Sequence, residues 1–192
     1  MYTMHLLRHG RTAWNDEYRF QGSTRDVPLN DEGRKESVAA RIRLQRHFKK
    51  AYASPALRAQ ETASIIVPEV EVLDDLIEAH FGSSEGQIVR IGRGTQYPTL
   101  IHACVALQKE EHDKLSERIR HSFRHIITHE KHGDHLVVSH GYLIAYAVAL
   151  LKNESRSAEN LLKYYLANAG FHVITLDEKG ELISAQLHAH QP

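Results

Sequence analysis

The sequence Leu6-Leu7-Arg8-His9-Gly10-Arg11-Thr12 lies so close to the N-terminus that only one short strand, residues 3–7, can precede it. A histidine between an arginine and a glycine at a strand end is suited to attack a phosphoryl group. Arg8 can donate two hydrogen bonds to phosphoryl oxygens, and Gly10 allows the turn to pass close to a ligand. The imidazole of His9 is a nucleophile at neutral pH. The same tripeptide also fits a strand that ends in a solvated basic turn.

The composition is that of one globular domain. The chain has 192 residues, of which 42% are hydrophobic, so we expect residues 1–192 to form a single compact domain. Lys and Arg number 24 and Asp and Glu also number 24, a balance that gives no overall attraction to nucleic acid or to an anionic membrane. Any site for an anion is therefore local.

The cysteine content and the apolar segments indicate in which cellular compartment the protein is expected. A single cysteine, Cys104, excludes an internal disulfide bond and fits a reducing environment. The first residues lack the basic start and apolar core of a signal peptide, and the longest apolar run, Tyr142 to Leu151, is too short to span a bilayer. We therefore expect a cytoplasmic protein without a membrane partner. No long heptad pattern indicates an oligomeric state.

Predicted strands and helices alternate along the chain. The strands are expected at residues 3–7, 50–53, 70–73, 135–139, 171–176 and 182–187. The helices are expected at residues 30–48, from 54 onward, 98–110, 112–131, 142–151 and 159–166. In the first helix Val38, Ile42 and Phe48 form the predicted apolar stripe. This alternation predicts an α/β sandwich with a mostly parallel sheet, which binds ligands beyond the carboxyl ends of its strands.

Four basic side chains fall at predicted strand ends. Arg8 and His9 follow the first strand, and His140 follows the strand over residues 135–139. Arg58 lies in the first turn of the helix that begins near Ser54-Pro55, where the free N–H groups also favour an anion. Because these ends meet at one edge of a parallel sheet, the sequence predicts an anion pocket there.

Two further groups of titratable residues remain open. Glu78 and Glu85 bracket an aromatic-glycine turn, and either is a candidate proton donor if its surroundings raise its pKa. His121, His125 and His129 share one face of the helix over residues 112–131, opposite its apolar stripe. Without a cysteine set or a His-Glu-x-x-His motif we expect no metal, and we interpret this face as solvated.

The chain resembles the histidine phosphatase superfamily, whose fold is phosphoglycerate-mutase-like. The motifs that carry the resemblance occur in family order from residue 4 to about 176. They are Arg8-His9-Gly10-x-Thr12-x-x-Asn15, Arg19-x-Gln21-Gly22-x-x-x-Asp26-x-Pro28-Leu29, Ser54-Pro55-x-x-Arg58-Ala59-x-x-Thr62-Ala63, Leu76-x-Glu78-x-x-Phe81-Gly82-x-x-Glu85-Gly86 and Val138-Ser139-His140-Gly141. The resemblance implies a three-layer α/β/α sandwich around a mostly parallel sheet, in a single domain with a short cap-like insertion around residues 87–112.

The resemblance also implies roles for individual residues. His9 would be the nucleophile, with a phosphohistidine intermediate, and His140 would stabilise the transferring group. Arg8 and Arg58 would hold its oxygens, and Glu78, ahead of Glu85, would be the proton donor. The expected substrate-binding residues are Asn15, Gln21, Gly22 and Gly141.

The expected activity is metal-independent hydrolysis of a small phosphorylated metabolite, without a cofactor. A cofactor-dependent phosphoglycerate mutase is one alternative, since it shares this machinery, and a non-catalytic phospholigand-binding module is another. The insertion is shorter than that of mutases in the family, which favours hydrolysis. Arg11 stands where the family commonly has Glu or Gln. Arg90 and Arg93 lie in the insertion, where they could bind a second anionic group or remain solvated.

Overall fold

The computed structural model describes residues 1–188. Its strands are β1 (Tyr2–Arg8), β2 (Lys50–Ala53), β3 (Glu71–Val72), β4 (Gly133–Ser139), β5 (Phe171–Leu176) and β6 (Leu182–Gln186). Its α-helices are α1 (Ala13–Asp16), α2 (Asp31–Leu44), α3 (Leu57–Ile66), α4 (Leu100–Leu107), α5 (His112–His129), α6 (Gly141–Leu151) and α7 (Ala158–Leu162). Within residues 1–188, no helix combines the length and the apolar composition that a membrane span requires.

The strands form one sheet in the order β3-β2-β4-β1-β5-β6. β3, β2, β4 and β1 are parallel neighbours, whereas β5 runs antiparallel to β1 and to β6. The mostly parallel sheet is therefore confirmed. Arg8 pairs with Ser139, and Ala53 pairs with Val138, so the chain leaves β1, β2 and β4 at the same edge.

Helices cover both faces of the sheet. Met4, Leu6 and Val137 belong to a core beneath α4, α5, α6 and α7, while Leu7 and Val138 belong to a second core beneath α2 and α3. Neighbouring residues of each strand thus enter opposite cores, as the two-residue period of a strand requires. The three-layer sandwich is confirmed.

The buried face of α2 differs from the prediction. Val38 is 48% exposed and Ile42 is 63% exposed, and the helix ends before Phe48, at Gln45 in the left-handed conformation. The buried residues are Gly33, Ser37, Ala40 and Leu44. The prediction was based on the spacing of large apolar residues. The buried face of this helix is instead made mainly of small residues, which allow close packing.

Other predicted elements agree more closely with the structure. The apolar stripe of α5 is buried, through Leu115, Ile119, Phe123, Ile126 and Ile127. The short helix α1 (Ala13–Asp16) follows the turn after β1, where no helix was predicted. Thr12 and Asn15 form a capping box at its start, a local signal that has no apolar period.

A close crossing of two backbone segments fixes the turn after β1 against α2. A Cβ built on Gly33 would lie 2.0 Å from the carbonyl oxygen of Arg11, and one built on Gly10 would lie 2.4 Å from the carbonyl oxygen of Gly33. Thr62 on α3 accepts a hydrogen bond from the Gly10 amide at 3.0 Å. Two glycines therefore allow α2 to support the segment that carries His9.

We predict that Gly33→Ala destabilises the protein by at least about 2 kcal/mol, because the added methyl group overlaps backbone atoms that have no room to move. In an unobstructed helix the same change is stabilising. The measurement is urea unfolding followed by circular dichroism, with the exposed Lys35→Ala on the same helix as the control. A Gly33→Ala protein as stable as the wild type would show that the backbones at Gly33 and Arg11 do not approach each other so closely.

Candidate active site

The parallel register of β1, β4 and β2 places three chain segments side by side. The His9 amide donates to the carbonyl of Ser139 at 3.0 Å, and the Ser54 amide donates to that of Val138 at 2.9 Å. The rings of His9 and His140 consequently lie 5.3 Å apart. Both histidines are buried, as are Arg8, Arg58 and Glu78.

The hydrogen bonding of His9 defines its tautomer. Its Nδ1 lies 2.7 Å from the carbonyl oxygen of Gly10. Because a carbonyl oxygen only accepts, Nδ1 carries the proton and Nε2 carries the lone pair. Burial lowers the pKa of His9 well below its usual value, and the charges of Arg58 and Arg8 lower it further. The imidazole is therefore neutral at pH 7, with an available nitrogen.

Backbone carbonyls hold both arginines in place. Arg8 donates from Nη1 to Leu166 at 2.6 Å, and its guanidinium lies 4.9 Å from the ring centre of Tyr165. Arg58 donates to the carbonyls of Thr24 at 2.6 Å and Gly22 at 2.8 Å. Among the residues described, neither arginine Nε has a hydrogen-bond partner, although both atoms are buried. Each guanidinium is therefore anchored and retains a donor for an anion.

Arg58 remains charged despite its burial. Burial lowers the pKa of Arg58 to about 10, against the attraction of Glu78 and Glu85. Its guanidinium is therefore a cation throughout the neutral range, in a region from which water is largely excluded. Electrostatic interactions are stronger there than in bulk water.

His140 lies between Arg58 and Ser54. Arg58 Nη2 is 3.3 Å from His140 Nδ1, and Ser54 Oγ is 2.7 Å from His140 Nε2. A guanidinium only donates, so in this arrangement Nδ1 accepts and Nε2 donates to the hydroxyl. Burial, followed by the charge of Arg58, lowers the pKa of His140 well below its usual value. Ser54 was predicted as part of a helix start, and its contact with His140 was not predicted.

Glu78 lies at the N-terminus of α6. Its carboxylate accepts hydrogen bonds from the backbone amides of Ala79 at 3.0 Å, Tyr142 at 3.0 Å and Leu143 at 2.9 Å. Burial raises the pKa of Glu78 above its usual value, although these amides and the charge of Arg58 oppose the shift. Arg118 fixes the preceding segment by donating to the carbonyl of Ile77 at 2.7 Å.

Glu85 has a different environment. Its Oε1 accepts from the amides of Phe81 at 2.9 Å and Ser23 at 3.2 Å. Burial would raise its pKa, but these hydrogen bonds outweigh it, and the pKa of Glu85 is lowered. Gly22 has a φ of +48°, and a Cβ there would lie 2.5 Å from Glu85 Oε1. Glu85 therefore organises the loop that anchors Arg58 and is a poorer proton donor than Glu78.

Three of the four predicted substrate-binding residues, Asn15, Gly22 and Gly141, lie beside this centre. Asn15 lines a pocket of about 320 Å³ beside Arg8, and its Oδ1 accepts from the Thr12 amide at 3.0 Å. Gln21 is half-buried, and its buried Oε1 has no hydrogen-bond partner within residues 1–188. Gly141 begins α6, where a Cβ would lie 2.6 Å from the Tyr165 ring. No sequence pattern singled out Tyr165.

The arginines whose role the sequence left open lie toward the surface. Arg11 pairs with Asp16 at 3.2 Å and with Glu36 at 3.3 Å while lining the pocket. Arg90 and Arg93 are exposed and do not line it. Residues 87–112 contribute apolar side chains to the pocket instead.

The histidine-rich face of α5 lies on the surface. His121 is hydrogen-bonded to Asp75, His125 lies 3.2 Å from Glu71, and the rings of His125 and His129 stack at 4.3 Å. Within residues 1–188 no group of three or more His, Cys, Asp or Glu side chains is arranged to hold a metal ion.

Comparisons with known proteins relate this geometry to a family. The chain is 31% identical to the metal-independent phosphoserine phosphatase of Arabidopsis thaliana, over 94% of this chain and 79% of the relative. The structure superposes with a TM-score of 0.80 on Bacillus stearothermophilus YhfR, at 23% identity, covering 100% of this chain and 98% of the other. It superposes with a TM-score of 0.78 on a phosphoserine phosphatase mutant from Entamoeba histolytica in complex with phosphoserine, at 21% identity and 96% coverage of both chains.

The family itself is established by sequence. The model of the histidine phosphatase superfamily (branch 1) matches residues 4–186, a range that begins within β1 and ends with β6. The chain therefore belongs to the histidine phosphatase superfamily.

Proposed function

We propose that this protein hydrolyses phosphomonoesters of small metabolites through a phosphohistidine intermediate on His9, without a metal ion. The observation that carries the proposal is the neutral imidazole of the buried residue His9, whose Nε2 carries the lone pair and whose pKa is lowered by the two anchored guanidinium groups nearby. A phosphoryl group in transfer needs positioning and charge stabilisation above all, and Arg8 and Arg58 supply both. The resemblance to a metal-independent phosphoserine phosphatase supports the same activity.

In the first step Nε2 of His9 attacks phosphorus, and the bond between phosphorus and the ester oxygen breaks. The leaving alkoxide takes a proton from the Glu78 carboxyl, whose raised pKa favours the protonated form. Arg8 and Arg58 stabilise the charge on the three non-bridging oxygens. His140 completes the pocket on the side of Arg58.

In the second step water attacks the phosphorus of phospho-His9, and the bond between nitrogen and phosphorus breaks. The Glu78 carboxylate formed in the first step accepts the proton of the water, so that the site returns to its starting state. Inorganic phosphate then leaves. The short insertion over residues 87–112 supports hydrolysis over mutase activity, because a site that admits water transfers the phosphoryl group to it.

We predict that His9→Ala lowers kcat for p-nitrophenyl phosphate by at least about 1,000-fold, because the nucleophile is removed. The assay measures phosphate release in EDTA, with His121→Ala as a control histidine on the surface. In a rapid-quench experiment, an ester labelled in its phosphoryl group should leave acid-labile label on the wild-type protein and none on His9→Ala. Hydrolysis by His9→Ala at the wild-type rate would refute the mechanism, and phosphoglycerate isomerisation dependent on a bisphosphate primer would indicate a mutase.

We predict that Glu78→Gln lowers kcat/KM for alkyl phosphates by about 100-fold or more and changes that for p-nitrophenyl phosphate much less. An alkoxide needs a proton to leave, whereas p-nitrophenolate does not. Glu85→Gln is the matched control, and we expect it to affect both substrates to the same extent, because Glu85 acts through the loop. Equal slowing of both substrates by Glu78→Gln would assign the proton donor elsewhere.

We predict a pH dependence that isolates Glu78. The ratio of kcat/KM for wild type to that for Glu78→Gln with an alkyl phosphate should fall as the pH rises from 4.5, since Glu78 loses its proton through a pKa raised above that value. The ionisations of His9 and of the substrate cancel in this ratio. A constant ratio across the pH range would show that Glu78 does not supply the proton.

A further inference from the structure

The pocket beside Arg8 has a mixed lining, in which apolar side chains lie beside charged and amide groups. It measures about 320 Å³, and its apolar walls come from Trp14, Tyr18, Val89, Ile91 and Leu100. Tyr165, which stacks on Arg8, continues this surface toward the phosphoryl site. The alcohol part of a phosphomonoester held by Arg8 would therefore lie against these side chains.

The other charged groups of the pocket already have partners. Arg11 is paired with Asp16 and Glu36. Arg19 donates from Nε to Glu17 at 2.9 Å and from Nη1 to the Gly86 carbonyl at 2.6 Å. Beyond the phosphoryl site, the pocket thus presents no cation without a carboxylate partner among the residues described.

The apolar walls are held together by backbone hydrogen bonds. The Val89 amide donates to the Tyr18 carbonyl at 3.0 Å, and the Phe20 amide donates to that of Gln87 at 2.9 Å. Tyr18 has a φ of +54° and is 64% exposed, so a large aromatic residue occupies a conformation that non-glycine residues rarely adopt. Strained backbone of this kind is concentrated at ligand-binding sites.

We propose that the substrate is the phosphomonoester of an uncharged, apolar alcohol with an aromatic or branched aliphatic group. This inference rests on the proposed phosphatase activity and specifies its substrate class. An apolar group gains free energy by leaving water for this wall. A carboxylate, as in phosphoserine or 3-phosphoglycerate, loses hydration without gaining a free cation, which weakens its binding.

The test compares four esters of primary alcohols, so that each leaving group is an alkoxide. These are benzyl phosphate, isoamyl phosphate, phosphoserine and 3-phosphoglycerate. We expect kcat/KM for benzyl phosphate to exceed that for phosphoserine by about tenfold or more, which corresponds to about 1.4 kcal/mol, close to the burial of two methylene groups. If phosphoserine is hydrolysed as fast as benzyl phosphate or faster, the inferred substrate class is wrong, whereas the proposed phosphatase activity stands. Hydrolysis of none of the four esters, nor of p-nitrophenyl phosphate, overturns the phosphatase activity and the inference with it.

A matched pair of variants locates the discrimination. Ile91→Lys places a cation in the pocket. It should lower the ratio of kcat/KM for benzyl phosphate to kcat/KM for phosphoserine by about tenfold. Ile88→Lys, at a residue that is 61% exposed and outside the pocket, should leave the ratio unchanged. Tyr18→Asn tests the wall independently of the core, because Asn tolerates the left-handed conformation, and it should lower the ratio about threefold. An unchanged ratio in both pocket variants contradicts the proposal.

Discussion

Two guanidinium groups buried at one edge of a parallel sheet are the constraint on which this structure depends. A buried charge is costly unless it is hydrogen-bonded, and carbonyls of Leu166, Thr24 and Gly22 meet that need. Carbonyls satisfy donors without neutralising the charge. Glu78 lies close enough to influence Arg58, but its carboxylate already accepts three backbone amides. The edge therefore keeps a positive potential, which suits a phosphoryl group and lowers the pKa of both neighbouring histidines.

The surrounding loops are organised by the same requirement. The segment over residues 22–24 contributes two of the three carbonyls, and Glu85 holds that segment through Ser23. Gly22 is needed there both for its positive φ and for the space that Glu85 occupies. On the opposite side, the crossing of Gly10 and Gly33 fixes the turn that carries His9. The precision of the site thus comes from backbone contacts of the scaffold, as preorganised electrostatic stabilisation requires.

The sequence predicted the parts of this arrangement that follow from topology. Strand ends in a parallel sheet share an edge, so the convergence of His9, Arg58 and His140 followed from their positions in the chain. The apolar face of α2 was predicted wrongly because periodicity favours large residues, whereas contact distance between two backbones depends on small ones. The choice between Glu78 and Glu85 depends on hydrogen bonds between distant segments, which no local pattern reveals. The resemblance ranked Glu78 first, and the opposite pKa shifts of the two carboxyl groups agree with that order.

The proposed reaction and the proposed substrate preference depend on different parts of this fold. Four of the groups proposed for the chemistry, Arg8, His9, Arg58 and His140, lie at strand ends or at a helix N-terminus, and Glu78 is held by the first amides of α6. The walls of the neighbouring pocket come from the short helix α1, the loop after it and residues 87–112, which are joined by a few backbone hydrogen bonds. Substitutions in such segments leave the core intact. Changes in this wall are therefore expected to alter which ester binds while the phosphoryl site is retained, and in this chain the wall is formed by apolar side chains beside two arginines that are paired with carboxylates.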